Sequence, residues 1–202
     1  MKLLAFDLST RRGTIALANE EGILSATDWP NDRRTSAPFF ATLDEIIRAH
    51  GAPETIVVGL GPGSYTGTRI AISAAIGLRA TTGAALAGIS SLCAVSDESE
   101  FCVIGDAKRA SFFFAKISGG LLVNDPELLS ENEMNERISS VTTISIYTSD
   151  ELPQFTSVKL RFPSAKLLWL RARTFPENVA RAPLAPIYLR DPHITTPRGG
   201  QK

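Results

Sequence analysis

The part of this chain that most constrains its fold is residues 55–82. Thr55-Ile56-Val57-Val58-Gly59-Leu60 is a β-branched run that reads as a buried strand, and it leads into Gly61-Pro62-Gly63-Ser64-Tyr65-Thr66-Gly67. An alanine-rich helix is predicted to start near Thr68 and to end by Gly83. Three glycines between a strand and a helix let the backbone approach something closely, because glycine carries no Cβ. Two readings follow. Amides at the helix start hold an anion, with Gly61, Gly63, Ser64, Thr66 and Gly67 as the cradle, or the segment is a tight strand-to-helix turn. It is not a P-loop, because Gly67 is followed by Thr68 and Arg69, and Thr66 stands where the dinucleotide fingerprint needs a small residue.

The flanking segments place this unit in an α/β fold. Residues 3–6, 13–18 and 22–27 read as three strands with tight turns, an antiparallel meander. From Pro38, the residues Phe39, Phe40, Leu43, Ile46 and Ile47 recur at helical spacing up to His50, and Gly51 stops the helix. A strand over 84–89 completes a parallel crossover, and Ser90 or Ser91 can cap a short helix after it. Residues 101–105 and 111–117, joined by Asp106-Ala107-Lys108-Arg109-Ala110, restart the hairpin of the N-terminus. That order predicts two lobes of related topology, 1–103 and a reduced 104–202 whose tail returns to the first lobe. The second half carries an acidic stretch (Asp125, Glu127, Glu131, Glu133, Glu136), a basic cluster from Lys159 to Arg181 interrupted only by Glu177, and a last helix starting near Ala165. The tail from Asp191 is polar.

Composition narrows the function. Twenty-one Lys and Arg balance 21 Asp and Glu, which leaves no cation excess for a general nucleic-acid footprint. With 44% hydrophobic residues the chain can build a core. No apolar run approaches the roughly 20 residues of a membrane helix, and the start is not a signal peptide. Cys93 and Cys102 are the only cysteines and His50 and His193 the only histidines, which fits a reducing cytoplasm and argues against a metal centre.

Four features compete between chemistry and structure. Asp7, followed by Ser9 and Thr10, either holds a metal-bound water beside a phosphate or serves a turn through side-chain to backbone bonds. Asp106 has the matching place in the second lobe. On the long helix, Ile70, Ala74, Gly77 and Thr81 share a face flanked by Ser73 and Ala80, so either a second helix packs there or the helix is buried in its own domain. The basic cluster reads as RNA backbone contact or as a solvated face. Ser64, Ser90 and Ser91 lack a nearby histidine or a Gly-x-Ser-x-Gly context and are not nucleophiles.

In order along the chain, Leu4-Ala5-Phe6-Asp7-Leu8-Ser9-Thr10, the glycine segment with Arg69-Ile70, Gly88-Ile89-Ser90-Ser91-Leu92, Asp106-Ala107-Lys108 and Pro186-Ile187-Tyr188-Leu189-Arg190 resemble the bacterial TsaB family, also called YeaZ and classed with glycoprotease-like proteins. The resemblance implies a two-lobed α/β fold of the actin, Hsp70 and sugar-kinase type. It implies a cytoplasmic, non-catalytic subunit without cofactor or metal. Such a subunit pairs with the paralogue TsaD and the ATPase TsaE for N6-threonylcarbamoylation of adenosine 37 in tRNAs reading codons that start with A, and reaches tRNA only indirectly. It also implies a pairing surface on the two N-lobe helices, here Phe39 and Leu43 on the first and Arg69, Ile70, Ser73, Ala74, Gly77 and Thr81 on the second. The same helices can pair with a second copy of the chain. The sequence departs from the family pattern at Arg34 before Thr35, at Ile76 where lysine is usual and at Ala71 where glycine is usual. A second function class, a phosphotransferase or ATPase of the same fold, would use Asp7 and residues 61–67 on nucleotide phosphates.

Overall fold

The computed structural model describes residues 1–31, 36–174, 180–181 and 183–190. Arg34, Thr35, Glu177, His193, the tail from Asp191 and the side chain of Arg181 lie outside the described residues.

The first lobe is built on a six-stranded sheet. β1 (Leu3–Asp7), β2 (Arg12–Ala18) and β3 (Ile23–Pro30) form the expected antiparallel meander, with Leu4 opposite Leu17 and Asp7 opposite Thr14. α1 (Ala37–His50) leads to β4 (Thr55–Gly59), parallel to β1, and α2 (Tyr65–Thr82) leads to β5 (Ala85–Ile89), parallel to β4. Because strand side chains alternate between faces, Leu4, Phe6, Ile15, Leu17, Ile56 and Val58 pack under α1 and α2, while Leu3, Ala5, Ala16 and Val57 point the other way. All five residues of β1 are therefore buried.

A short 3-10 helix, Ser91–Ala94, links to the second lobe. There β6 (Glu100–Asp106) and β7 (Phe112–Ser118) form a hairpin, β8 (Leu121–Leu122) and β9 (Glu127–Leu129) both pair with β7, and α3 (Glu131–Ser140) follows. β10 (Ser145–Thr148) is parallel to β6, and β11 (Lys159–Leu160) to β10. The restart read from sequence is a topological repeat: β6 has an antiparallel partner in β7 and a parallel one in β10, as β1 has in β2 and β4. α4 (Ala165–Thr174) crosses back to the first sheet, burying Ala165 and Leu168 against Leu3, Ala5 and Val57. β12 (Ala180–Arg181) then adds antiparallel to β5 as the edge of that sheet. This is the two-lobed α/β architecture expected from the sequence, but the expected boundary after residue 103 falls inside β6, and the second sheet already begins at Glu100.

Two local readings change. The acidic stretch is largely α3, whose start is a capping box: Ser130 Oγ accepts from the Glu133 amide, and the Ser130 amide donates to Glu133 at 2.7 Å. α2 starts at Tyr65, not near Thr68, because Ser64 Oγ accepts the Gly67 amide at 3.2 Å and caps the helix one turn earlier. Thr66 and Gly67 are therefore first-turn helix residues. Ser64→Ala should cost about 1 kcal/mol in a urea unfolding titration, the usual worth of such a cap.

Candidate functional site

Asp7 lies at the end of β1 and is completely buried. Its Oδ1 accepts from the Ser9 amide at 2.7 Å and the Ser9 hydroxyl at 2.6 Å, and its Oδ2 accepts from the Ser91 hydroxyl. Burial pushes the carboxyl above the usual carboxylate range, and the Ser9 and Ser91 bonds only partly oppose it. Gly59 faces this group, and a Cβ there would stand 1.7 Å from Oδ2. Asp7 thus ties the end of β1 to the 3-10 helix, and Gly59 at the end of β4 leaves the space that it occupies.

The glycine segment is closed on the same hairpin. The Gly61 amide donates to Ser91 Oγ at 2.9 Å, and its carbonyl accepts from the Ser91 amide at 2.9 Å and the Ser90 hydroxyl at 3.1 Å. The Ser64 amide donates to the Ser9 carbonyl at 2.6 Å. A Cβ at Gly63 would come within 2.2 Å of that carbonyl oxygen, and one at Gly67 within 2.0 Å of the Leu8 carbonyl oxygen. These two glycines let backbone touch backbone within the chain, in the manner of a tight turn.

Between the lobes lies a cleft of about 320 Å³, whose walls include Ser9, Gly63, Ser64, Asp106, Lys108 and Asp150. Asp7, Gly61, Thr66 and Gly67 do not line it. Asp106 accepts from the Lys108 amide at 2.7 Å and from the Lys108 ammonium, and its own amide donates to Asp150. Burial raises the Asp106 carboxyl, but the Lys108 hydrogen bonds and charge outweigh it and hold the group below its usual value. Among the described residues no three His, Cys, Asp or Glu side chains are placed to hold a metal ion. Burial lifts the Cys93 thiol to about 11, so it is not a thiolate nucleophile at neutral pH. An apolar cavity of about 580 Å³ beside α4, with Leu3, Val57, Ala87 and Trp169 among its walls, meets the sequence candidates only at Arg173 of the basic cluster.

The helix stripe lies outside. α2 buries Gly67, Thr68, Ala71, Ile72 and Ala75 against the core. Arg69, Ser73, Gly77 and Thr81 are exposed, while Ile70 and Ala74 are half-buried against the first-lobe core, so burial in its own lobe accounts for only part of the stripe. Beside it a groove of about 590 Å³ is lined by Phe40 of α1 and by Tyr65, Thr66, Arg69, Ile70, Ser73 and Ala74 of α2. Gly77 stands one turn further, and a Cβ there would meet nothing within 4 Å.

Phe39, expected on the pairing surface, is a core residue instead. It is 1% exposed, with its ring 5.2 Å from Phe6 and 6.2 Å from Trp29. Phe39, Leu43 and Ile46, spaced by four and three, define the inner stripe of α1, with Leu43 half-buried against the core. Phe40 falls off that stripe and is 46% exposed. On that spacing Phe40 is the outward-facing aromatic of α1. Tyr65, 50% exposed, and Tyr188 were not singled out as site residues either.

The basic cluster is partly spent inside the molecule. Arg161 donates to Ser96 Oγ at 2.8 Å and pairs with Asp97 at 3.7 Å. Arg171 donates to the carbonyls of Cys93 at 3.1 Å and Ser96 at 2.8 Å. These two guanidiniums brace the junction between the lobes, whereas Lys159 and Lys166 are exposed.

Two lobes of repeated topology, with a glycine turn sealed on the first hairpin and a grooved helix face outside it, define a two-lobed α/β protein. Residues 42–158, more than half of the chain, match the family described as "TsaD: tRNA N6-adenosine threonylcarbamoyltransferase", and the chain belongs to that family. Its role is thus related to tRNA modification. Among solved structures it is similar to YeaZ from Pseudomonas aeruginosa, with 20% identity and a TM-score of 0.72 over 93% of this chain and 99% of that one. It is equally similar to an uncharacterized protein from the same organism described as similar to peptidase YEAZ, with 20% identity, a TM-score of 0.73 and coverage of 94% and 99%. This is the YeaZ fold that the sequence resemblance implied. No curated protein matches the chain.

Proposed function

We propose that this chain is a non-catalytic cytoplasmic subunit that pairs through α1 and α2 with a TsaD-type paralogue, and with a TsaE-type ATPase, in N6-threonylcarbamoylation of adenosine 37 in tRNA. The observation that carries the reading is the groove between Phe40 and α2. A helix whose buried face is already satisfied leaves Arg69, Ser73 and Gly77 exposed and the edges of half-buried Ile70 and Ala74 lining a groove beside the exposed rings of Phe40 and Tyr65. Small residues let a partner helix come close, and exposed Tyr and Arg are the side chains that anchor interfaces.

The alternative phosphotransferase reading asks Asp7 and the glycine segment to meet a phosphate. Asp7 has both oxygens occupied by Ser9 and Ser91. The segment's Gly61 and Ser64 amides are bonded within the chain as well. Both facts support a scaffold over a phosphate site. Size-exclusion chromatography with light scattering, on the chain alone and mixed with the TsaD-type protein of the same source, tests the reading. A heterocomplex supports it, and separate elution of the two proteins, with or without the ATPase and nucleotide, contradicts it.

A further inference from the structure

The segment 186–190 is the last of the motifs that carry the family resemblance. It is held to both lobes. The Ile187 amide donates to the Leu60 carbonyl at 2.8 Å, just past the end of β4, and the Ile187 side chain packs on the core under α2. Leu189 packs against the second-lobe core, and Arg190 donates to Ser111 Oγ. Between these anchors stands Tyr188, whose hydroxyl accepts from Arg69 Nε at 3.0 Å. The Arg69 guanidinium sits 3.8 Å above the centre of the Tyr65 ring and 5.9 Å from that of Tyr188. The two rings are 5.6 Å apart.

Among the described residues, Arg69 is the only charged side chain lining the α1–α2 groove. Among the described residues no carboxylate pairs with it. A long, mobile side chain has thus been given a fixed position by two aromatic rings, while the hydrogen-bonding fork of its terminal nitrogens has no anion. Such a guanidinium loses less rotamer freedom on binding and matches the planar geometry of a carboxylate. The apolar walls around it, Phe40, Ile70 and Ala74, suit a helix with apolar and small residues.

We propose that Tyr188, together with Tyr65, is a positioning residue that fixes Arg69 at the groove to receive an Asp or Glu carboxylate from a helix of the TsaD-type partner. This rests on the scaffold reading and extends the pairing surface from two helices to the strap formed by residues 186–190.

Isothermal titration calorimetry of the full-length chain against that partner, at low and high salt, tests it. Arg69→Ala should weaken binding about 30-fold and flatten the salt dependence, and Tyr188→Ala should weaken it about 10-fold. Tyr188→Phe, which keeps the ring but not the hydroxyl, should cost about 3-fold. The double variant Arg69→Ala with Tyr188→Ala should bind no more weakly than Arg69→Ala alone, because Tyr188 acts through Arg69; independent packing roles would add. Thermal unfolding of each free variant checks the fold, and Tyr188→Phe carries the test if Tyr188→Ala does not fold. Wild-type affinity in both Tyr188 variants, or additive losses, would overturn the positioning role and leave the scaffold reading intact. Absence of wild-type binding would overturn both. If the Arg69 dependence appears instead in self-association of the chain alone, the carboxylate belongs to a second copy and the partner assignment falls.

Discussion

Gly77→Trp is expected to abolish the complex with the TsaD-type partner while leaving the free protein folded. The position lies on the exposed side of α2, one turn past the groove, and an added Cβ meets nothing within 4 Å. The indole therefore projects from the monomer without a clash. Glycine in a helix interior is among the worst residues for helix stability, so the substitution should leave the unfolding free energy unchanged or raise it by about 0.5 kcal/mol. A helix packed against this face has no room for the new side chain, and overpacking of a close contact is severe. The expected loss of affinity is at least 100-fold by calorimetry. Unchanged affinity would remove α2 from the interface.

Asp7→Ala is expected to be a stability variant. Its carboxylate is the acceptor for the Ser9 amide, the Ser9 hydroxyl and the Ser91 hydroxyl, all in the interior. Truncation leaves those donors unpaired, at a cost of about 3 kcal/mol even after the burial of a charge is relieved. The pH dependence has a definite sign. Burial raises the folded-state value of Asp7 above the ordinary 3.8, so the folded protein holds the proton to higher pH than the unfolded chain does. The stability that Asp7 contributes is full below the ordinary value and falls as pH rises through the raised one. Asp7→Asn stays neutral throughout. Urea titrations at several pH values from about 3.5 to 7 should therefore show Asp7→Asn gaining on wild type as pH rises, with contributions from the other carboxylates cancelling in the difference. A difference independent of pH would mean that burial does not control this group.

Much of the fold was legible because its first lobe follows local rules. The short apolar runs of β1, β2 and β4, the glycine turn and the alanine-rich helix all act over a few residues, and the order of the β6–β7 hairpin was enough to show the repeat. What the sequence hid depends on distant contacts. β8, β9 and β11 are two or three residues long, too short for a period to register. α3 was obscured by its acidity, although Ser130 and Glu133 stand at capping-box spacing and Met134 and Ile138 are a turn apart on one face.

The candidate site was legible in part for the same reason. Spacing put Ile70, Ala74, Gly77 and Thr81 on one face of α2 but left open whether that face is buried, and whether Asp7 faces a ligand or a serine 84 residues away depends on how β4 and the 3-10 helix come together. Phe39 was misplaced because the resemblance assigned the whole first helix to the pairing surface, whereas the four-then-three spacing turns Phe39 inward. Tyr188 becomes visible only once residues 186–190 return to α2, 119 residues from Arg69 in sequence.

The most direct test of the scaffold assignment is a reconstituted tRNA threonylcarbamoylation assay with the TsaD-type and TsaE-type proteins of the same source, run with and without this chain and accompanied by Mg-ATP turnover of this chain alone. The expected result is that adenosine 37 is modified only when the chain is present, that Gly77→Trp abolishes the stimulation, and that the chain alone turns over no nucleotide. Modification that proceeds equally well without the chain, or Mg-dependent turnover by the chain alone that Asp7→Ala abolishes while the protein remains folded, would contradict it.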